Sequence, residues 1–225
     1  MSKTIAFDVY GTLINPHGVV RELEGLLGQR AGAFSALWRQ KQLEYSFRRG
    51  LMDAYSGFAV CTRQALDFTC LELAIKLSEA DKEALMAAYT RLPAYDDTVP
   101  ALSALKQQDI ACWAFSNGEP DDLESLFAHA DLHGTVKGII SVDAVKSFKP
   151  DPRVYEHFLR ESAVDAADTW LVSSNPFDII GARAAGWEAV WIQRDPTIQF
   201  DCWEWQPSTT LSSLSELSAY FSTLE

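Results

Sequence analysis

Ile5-Ala6-Phe7-Asp8-Val9-Tyr10-Gly11-Thr12-Leu13 is the stretch on which the reading of the whole chain turns. An apolar run ends on a carboxylate, and a Gly-Thr turn then leads the chain away. This pattern predicts a buried strand that delivers Asp8 at its carboxyl end, the place where open α/β sheets bind ligands. Asp8 is therefore a candidate nucleophile, and the remaining sequence is read for what it attacks.

Beyond Thr12, Asn15-Pro16 and Gly18 mark a turn. Val19, Leu23, Leu26 and Leu27 then recur at helical spacing. A second helix is predicted over about 33–52, with a break at Ala54-Tyr55-Ser56-Gly57. A third is predicted over about 58–77, and a fourth, with Ser78 as N-cap, runs to about 92. Since this block shows no strand, residues 15–94 are expected to form a helical cap domain. It would be inserted between 1–14 and 95–225, which together make the catalytic core.

From Tyr95 onward, strands and helices alternate. Strands are expected at 110–115, 138–141, 170–172 and 189–192, with helices over 99–108, 121–129, 152–161 and from Pro176 to Gly186. The fold class is α/β: a Rossmann-like, mostly parallel sheet with helices on both faces, plus the all-helical cap. Asp96 and Asp97 read as a cap for the helix near Val99. Glu119, Asp121 and Asp122 read as charges at a helix N-terminus. Asn175 reads as the cap of a helix with Pro176 in its first position. The tail from Pro196 reads as loop, with Ser208 to Ser213 as loop and helix cap, Trp203 and Trp205 as packing residues, and a closing helix over about 213–223.

The 225 residues fit one domain or a core with an insert. Net charge −12 argues against a nucleic-acid surface and is sufficiently explained by solubility. The sequence has no apolar run of membrane-spanning length, and Met1-Ser2-Lys3-Thr4 is not a signal peptide, so the expected location is cytoplasmic. Cys61, Cys70, Cys112 and Cys202 lack metal-ligand spacing and are expected to be reduced and mostly buried. His17, His129, His133 and His157 are scattered, which speaks against zinc.

Strand ends bring further polar groups toward Asp8: Thr12 from its own turn, Ser116 and Asn117, then Ser173, Asn175 and Asp178. Lys149 stands in a loop before a helix. A carboxylate nucleophile needs positive charge and donors to stay ionised and aimed, which Lys149 and Thr12 can supply. An ester on Asp8 would need a second carboxylate to act on water, and Asp178 is the candidate.

The ordered motifs Asp8-x-Tyr10-Gly11-Thr12, Ser116-Asn117-Gly118, Lys149-Pro150 and Ser173-Ser174-Asn175-Pro176-Phe177-Asp178 resemble the haloacid dehalogenase superfamily over essentially the whole chain. Most of its members are magnesium-dependent phosphotransferases with a second Asp where this chain has Tyr10, and an Asp ligand where it has Ser174. Both departures point to the L-2-haloacid dehalogenase family, as does Trp38-Arg39-Gln40-Lys41-Gln42-Leu43-Glu44-Tyr45-Ser46, which is similar to that family's cap signature.

The resemblance implies hydrolytic dehalogenation of (S)-2-haloalkanoic acids to (R)-2-hydroxyalkanoic acids, with no metal and no cofactor. It implies catalytic roles for Asp8, Thr12, Arg39, Ser116, Lys149, Tyr155, Ser173, Asn175 and Asp178. It implies substrate contacts from Val9, Tyr10, Arg39, Gln40, Leu43, Phe58, Ser116, Asn117, Asn175 and Phe177. Arg39 would receive the halide beside Asn117 and Phe177. Read alone, Arg39 fits a surface salt bridge better, and Tyr155, Leu43 and the phenylalanines fit core packing. A homodimer is implied, with a small haloalkanoate and halide as the other partners and neither nucleic acid nor membrane. The alternatives are a magnesium-dependent phosphatase and a non-catalytic relative that binds a small carboxylate.

Overall fold

A computed structural model describes residues 3–224. Six strands form one sheet, in the order β3-β2-β1-β4-β5-β6, and every neighbouring pair is parallel. They are β1 (Thr4–Asp8), β2 (Ala111–Ser116), β3 (Ile139–Ser141), β4 (Thr169–Ser173), β5 (Glu188–Ile192) and β6 (Thr209–Leu211). β1 and β4 are buried along their whole length, as central strands of a sheet covered on both faces must be. The chain winds outward from β1 to β3 in one direction and from β4 to β6 in the other. The direction reverses between β1 and β4, so a crevice opens just beyond Asp8 and Ser173.

The core helices are α5 (Thr98–Gln107), α6 (Pro120–His129), α7 (Pro152–Ser162), α8 (Pro176–Ala184) and α9 (Leu217–Ser222). Between β1 and α5 lie only helices and turns: α1 (Val20–Leu27), α2 (Ala31–Leu51), α3 (Phe58–Glu72) and α4 (Glu79–Tyr89). The expected helical cap is present. Its two connections to the core run side by side, with Ile14 bridged to Ala94 and the Asn15 N–H donating to the Pro93 carbonyl at 3.0 Å. Helix α3 stops at Glu72, short of the expected 77, because Ala74 turns to a φ of 50°. Ser78 caps α4 as predicted, in a reciprocal pair with Asp81.

Three further expectations need correction. Thr209–Leu211 is a strand, not loop: three half-exposed residues on a sheet edge carry too little apolar alternation to announce themselves. Trp203 and Trp205 are exposed rather than packed. Asp97 makes no capping bond to α5. Its carboxylate instead takes both guanidinium nitrogens of Arg194, at 3.0 and 3.1 Å, plus the Ser213 hydroxyl and the Leu214 N–H. Asp121 and Asp122 lie in the first turn of α6 as expected, and Glu119 stands at its N-cap position without a side-chain bond to that helix. Glu119 reaches into the cap and accepts the Ala59 N–H at 3.0 Å, at the start of α3. There it neutralises an orphan donor of a helix N-terminus. Tyr55 adds a second cap–core tie by donating to Asp143 at 2.6 Å.

Candidate active site

Asp8 ends β1 and is 6% exposed. The turn after it is tight: the N–H groups of Thr12, Leu13 and Ile14 all approach the Val9 carbonyl. Gly11 takes φ +99°, a conformation open to glycine and closed to most other residues. The turn thus brings Thr12 back over the strand end, where its hydroxyl donates to Asp8 Oδ2 at 2.9 Å. The Ser174 N–H donates to that same hydroxyl oxygen at 2.8 Å, which leaves the hydroxyl proton for Asp8. Val9 therefore contributes backbone to the turn that carries Tyr10.

Lys149 is 1% exposed, and each of its three protons has a partner. Its Nζ donates to Asp178 Oδ2 at 2.7 Å, to the Phe115 carbonyl at 2.8 Å and to Asp8 Oδ1 at 3.2 Å. It also lies over the Phe115 ring, 4.2 Å from the centroid. The Asn117 side-chain oxygen fixes the Lys149 backbone by accepting its N–H at 2.9 Å. Asp178, in the first turn of α8, is fully buried. Burial pushes its carboxyl up to about 6; Lys149 pulls it down, and the charge on Asp8 adds to the rise. The Tyr155 hydroxyl donates to Asp178 Oδ1 at 2.9 Å.

Asn175 does not use its side chain to cap α8, as the sequence suggested. Its Nδ2 donates to Asp8 Oδ2 at 2.7 Å and lies 3.1 Å from the Tyr10 carbonyl. Ser173 acts one step back, its hydroxyl oxygen accepting the Asn175 N–H at 3.1 Å. The Ser116 hydroxyl oxygen accepts the Gly118 N–H at 3.1 Å. The Tyr10 ring packs between Phe58 and Tyr89, with centroids 5.8 and 6.2 Å away. Burial raises the Tyr10 hydroxyl well above the ordinary tyrosine value, so it stays neutral.

From the cap, Arg39 reaches across to donate to the Tyr10 carbonyl at 3.2 Å and to Gln42 at 2.6 Å. Gln42, fully buried, in turn donates to Thr62 at 2.6 Å. With Leu43, Asn175 and Arg194, Arg39 lines a cleft of about 290 Å³. Phe177 lies on another side. It meets Phe47 edge-on at 4.8 Å and lines an apolar cleft of about 600 Å³ with Phe148 and Lys149. Gln40 is exposed on α2 and lines neither cleft.

The sequence reading missed Gln42 and Arg194. A buried polar residue three positions after Arg39 on one helix was the available signal for Gln42. Arg194, which donates to the Thr12 carbonyl at 2.7 Å and so ties down the turn after Asp8, had no local signal.

A magnesium ion does not fit these donors. Asp8 Oδ2 already accepts two protons and Oδ1 the ammonium of Lys149. The Ser174 hydroxyl, at the phosphatase ligand position, is buried without a partner among the described residues and carries no charge for a hard cation. No three His, Cys, Asp or Glu side chains are grouped as metal ligands among the described residues.

Fold and site together define an α/β protein with a carboxylate–lysine–carboxylate centre under a helical cap. The family model for haloacid dehalogenase-like hydrolases matches residues 2–186. The (S)-2-haloacid dehalogenase of Pseudomonas sp. (strain YL) is 37% identical over 221 residues, 98% of this chain and 95% of that one. The (S)-2-haloacid dehalogenase 1 of Pseudomonas sp. (strain CBS-3) is 40% identical over 217 residues, 96% of this chain and 94% of that one. The L-2-haloacid dehalogenase of Xanthobacter autotrophicus, solved with chloropropionic acid covalently bound, superposes with a TM-score of 0.94 at 30% identity, covering 100% of both chains. This chain belongs to the haloacid dehalogenase-like hydrolase family.

Lys149→Met should leave two buried carboxylates without their counter-charge, costing about 3–5 kcal/mol. Urea unfolding would read this loss. An unchanged midpoint would contradict the central role given to the ammonium.

Proposed function

We propose that this chain hydrolyses (S)-2-haloalkanoic acids to (R)-2-hydroxyalkanoic acids through an ester on Asp8, without a metal. The observation that carries this reading is the asymmetry of the Asp8 carboxylate. Oδ2 accepts from both Thr12 and Asn175, whereas Oδ1 accepts from Lys149 at the longer distance of 3.2 Å. Oδ1 keeps a lone pair for attack, and Oδ2 is preset as an ester carbonyl with two donors in place.

In the first step Oδ1 bonds to C2 of the substrate from the side opposite the halogen. The carbon–halogen bond breaks, the halide departs with the electron pair, and C2 is inverted. Arg39 receives the anion: its guanidinium is permanently charged and weakly hydrated, and Gln42 holds it in place. Ser116 keeps its hydroxyl proton for the substrate carboxylate, since its oxygen is occupied as an acceptor from Gly118. The rings of Tyr10 and Phe58 provide the apolar wall that an alkyl chain needs.

In the second step water attacks Asp8 Cγ and Asp178 takes its proton. The negative charge forming on Oδ2 meets Thr12 and Asn175. Collapse expels the oxygen of the 2-hydroxy acid, which takes the proton from Asp178, and Asp8 releases the water's second proton to solvent to return to carboxylate. Tyr155 and Lys149 hold Asp178 in position.

The proposed setting is the cytoplasm, with the chain as a homodimer. Unpaired Cys61, Cys70 and Cys112, all buried, suit a reducing compartment, and exposed Leu51 and Met52 at the end of α2 offer an apolar contact. No helix among the described residues is long and apolar enough to cross a membrane.

Halide release from both enantiomers of 2-chloropropanoate, with and without EDTA, tests the reading. Halide is expected from the S enantiomer alone, with or without chelator. No halide from that enantiomer, together with magnesium-dependent cleavage of a phosphate ester, would overturn it. A second expectation concerns pH. Asp178 must be ionised to accept water's proton; burial and the charge on Asp8 push its carboxyl up to about 6, and once Asp8 is esterified that charge is gone and the carboxyl moves lower. It is ionised above its titration point and protonated below it, so ester hydrolysis should hold its rate through about pH 6 and slow by up to about tenfold per unit only below the lowered value. Acid quenching should then trap a growing fraction of enzyme as ester, and a fraction that stays flat down to about pH 4, the ordinary aspartate value, would contradict this assignment.

A further inference from the structure

Gly181 stands in the interior of α8, three residues after Asp178 and so on the same face of the helix. No turn or unusual dihedral requires a glycine there, since its φ lies outside the positive range. Glycine is a poor choice inside a helix on conformational grounds, so its presence calls for a packing reason. The surroundings provide one. A Cβ on Gly181 would lie 2.2 Å from the Tyr155 hydroxyl oxygen, 2.7 Å from Tyr155 Cζ and 2.7 Å from Pro150 Cβ. All three are closer than real Cβ contacts come. Tyr155 is fully buried on α7, and its ring is held edge-on by Phe115 and Trp187, at 5.8 and 5.4 Å between centroids, so it cannot swing aside freely.

We propose that Gly181 is a positioning residue for the proposed hydrolysis: its bare Cα is the notch that seats Tyr155 and Pro150 against α8. One side of the notch receives the hydroxyl that donates to Asp178 Oδ1. The other receives Pro150, the residue after Lys149, whose ammonium donates to Asp178 Oδ2. Both oxygens of the proposed base are thus held by groups that converge on this one backbone position. A side chain at 181 would lift the Tyr155 ring away from α8 and lengthen its hydrogen bond to Asp178.

The role rests on the reading of Asp178 as the base, and its test has an arm independent of turnover. The variants are Gly181→Ala, Tyr155→Phe and the double variant. Gly181→Ala is expected to lower kcat for (S)-2-chloropropanoate by about tenfold or more and KM with it, leaving kcat/KM within about twofold, because Asp178 acts only after the ester has formed. The acidic limb of its kcat profile should move to higher pH, because the Tyr155 hydrogen bond favours the ionised carboxyl of Asp178. Tyr155→Phe should move that limb the same way. Once the hydroxyl is gone, adding Gly181→Ala should cost much less than it does in the parent, since the pair are neighbours and their effects do not add.

The turnover-independent arm is the thermal midpoint. The hydroxyl is the closest of the three contacts, so removing it should make Gly181→Ala better tolerated, and the double variant should melt above the single one. This holds even if the single variant folds too poorly to assay. Equal factors for Gly181→Ala in both backgrounds, or a double variant no more stable than the single, would overturn the proposal. A normal stability cycle with no haloacid turnover in the parent would instead remove the function and leave the packing role standing.

Discussion

The structure depends on one ammonium group buried between two carboxylates. Taking three charges out of water costs several kcal/mol per ion, and mutual attraction repays that only when the remaining donors and acceptors are satisfied. Lys149 meets the condition, with one proton each for Asp8, Asp178 and the Phe115 carbonyl. Each partner comes from a different element: β1, α8 and β2. The parallel sheet is what brings them together, because its strand ends open on one edge and the winding reverses beside Asp8. The arrangement is therefore a demand on the fold more than a source of its stability.

The cap completes the site from above. Arg39 grips the carbonyl of Tyr10, Gln42 steadies Arg39, and Thr62 steadies Gln42, so a chain of polar contacts runs from α3 through α2 to the turn after Asp8. Glu119 returns the connection from the core by satisfying the first turn of α3, whose opening residue is Phe58. The contacts that hold the cap to the core are consequently the ones that shape the pocket. With Asp8 only 6% exposed, the charges inside are less screened than they would be at the surface.

The architecture and most of the site were legible in the sequence because their signals are local. Asp8 follows an apolar run, Gly11 marks a turn, and the pair Asn175-Pro176 marks a helix start. Polar side chains that act at a distance were harder to read. Asn175, Asp97 and Glu119 all stand at helix starts, where capping is the default expectation, yet each one's side chain goes elsewhere. Helix-start chemistry fixes where such residues stand but not which donor they meet. Gln40 shows the reverse case: it belongs to the cap signature, but the helical phase leaves it exposed while Gln42, two residues on, is buried. β6 went unread because three half-exposed edge residues carry no periodicity.

The central claim is that an oxygen of Asp8 itself is transferred to the product. Single turnover of (S)-2-chloropropanoate by excess enzyme in heavy-oxygen water tests this most directly. The account predicts an unlabelled hydroxyl in the product and heavy oxygen in the peptide that contains Asp8. Heavy oxygen in the product hydroxyl, with that peptide's mass unchanged, would mean that water attacks carbon directly, and would contradict the account.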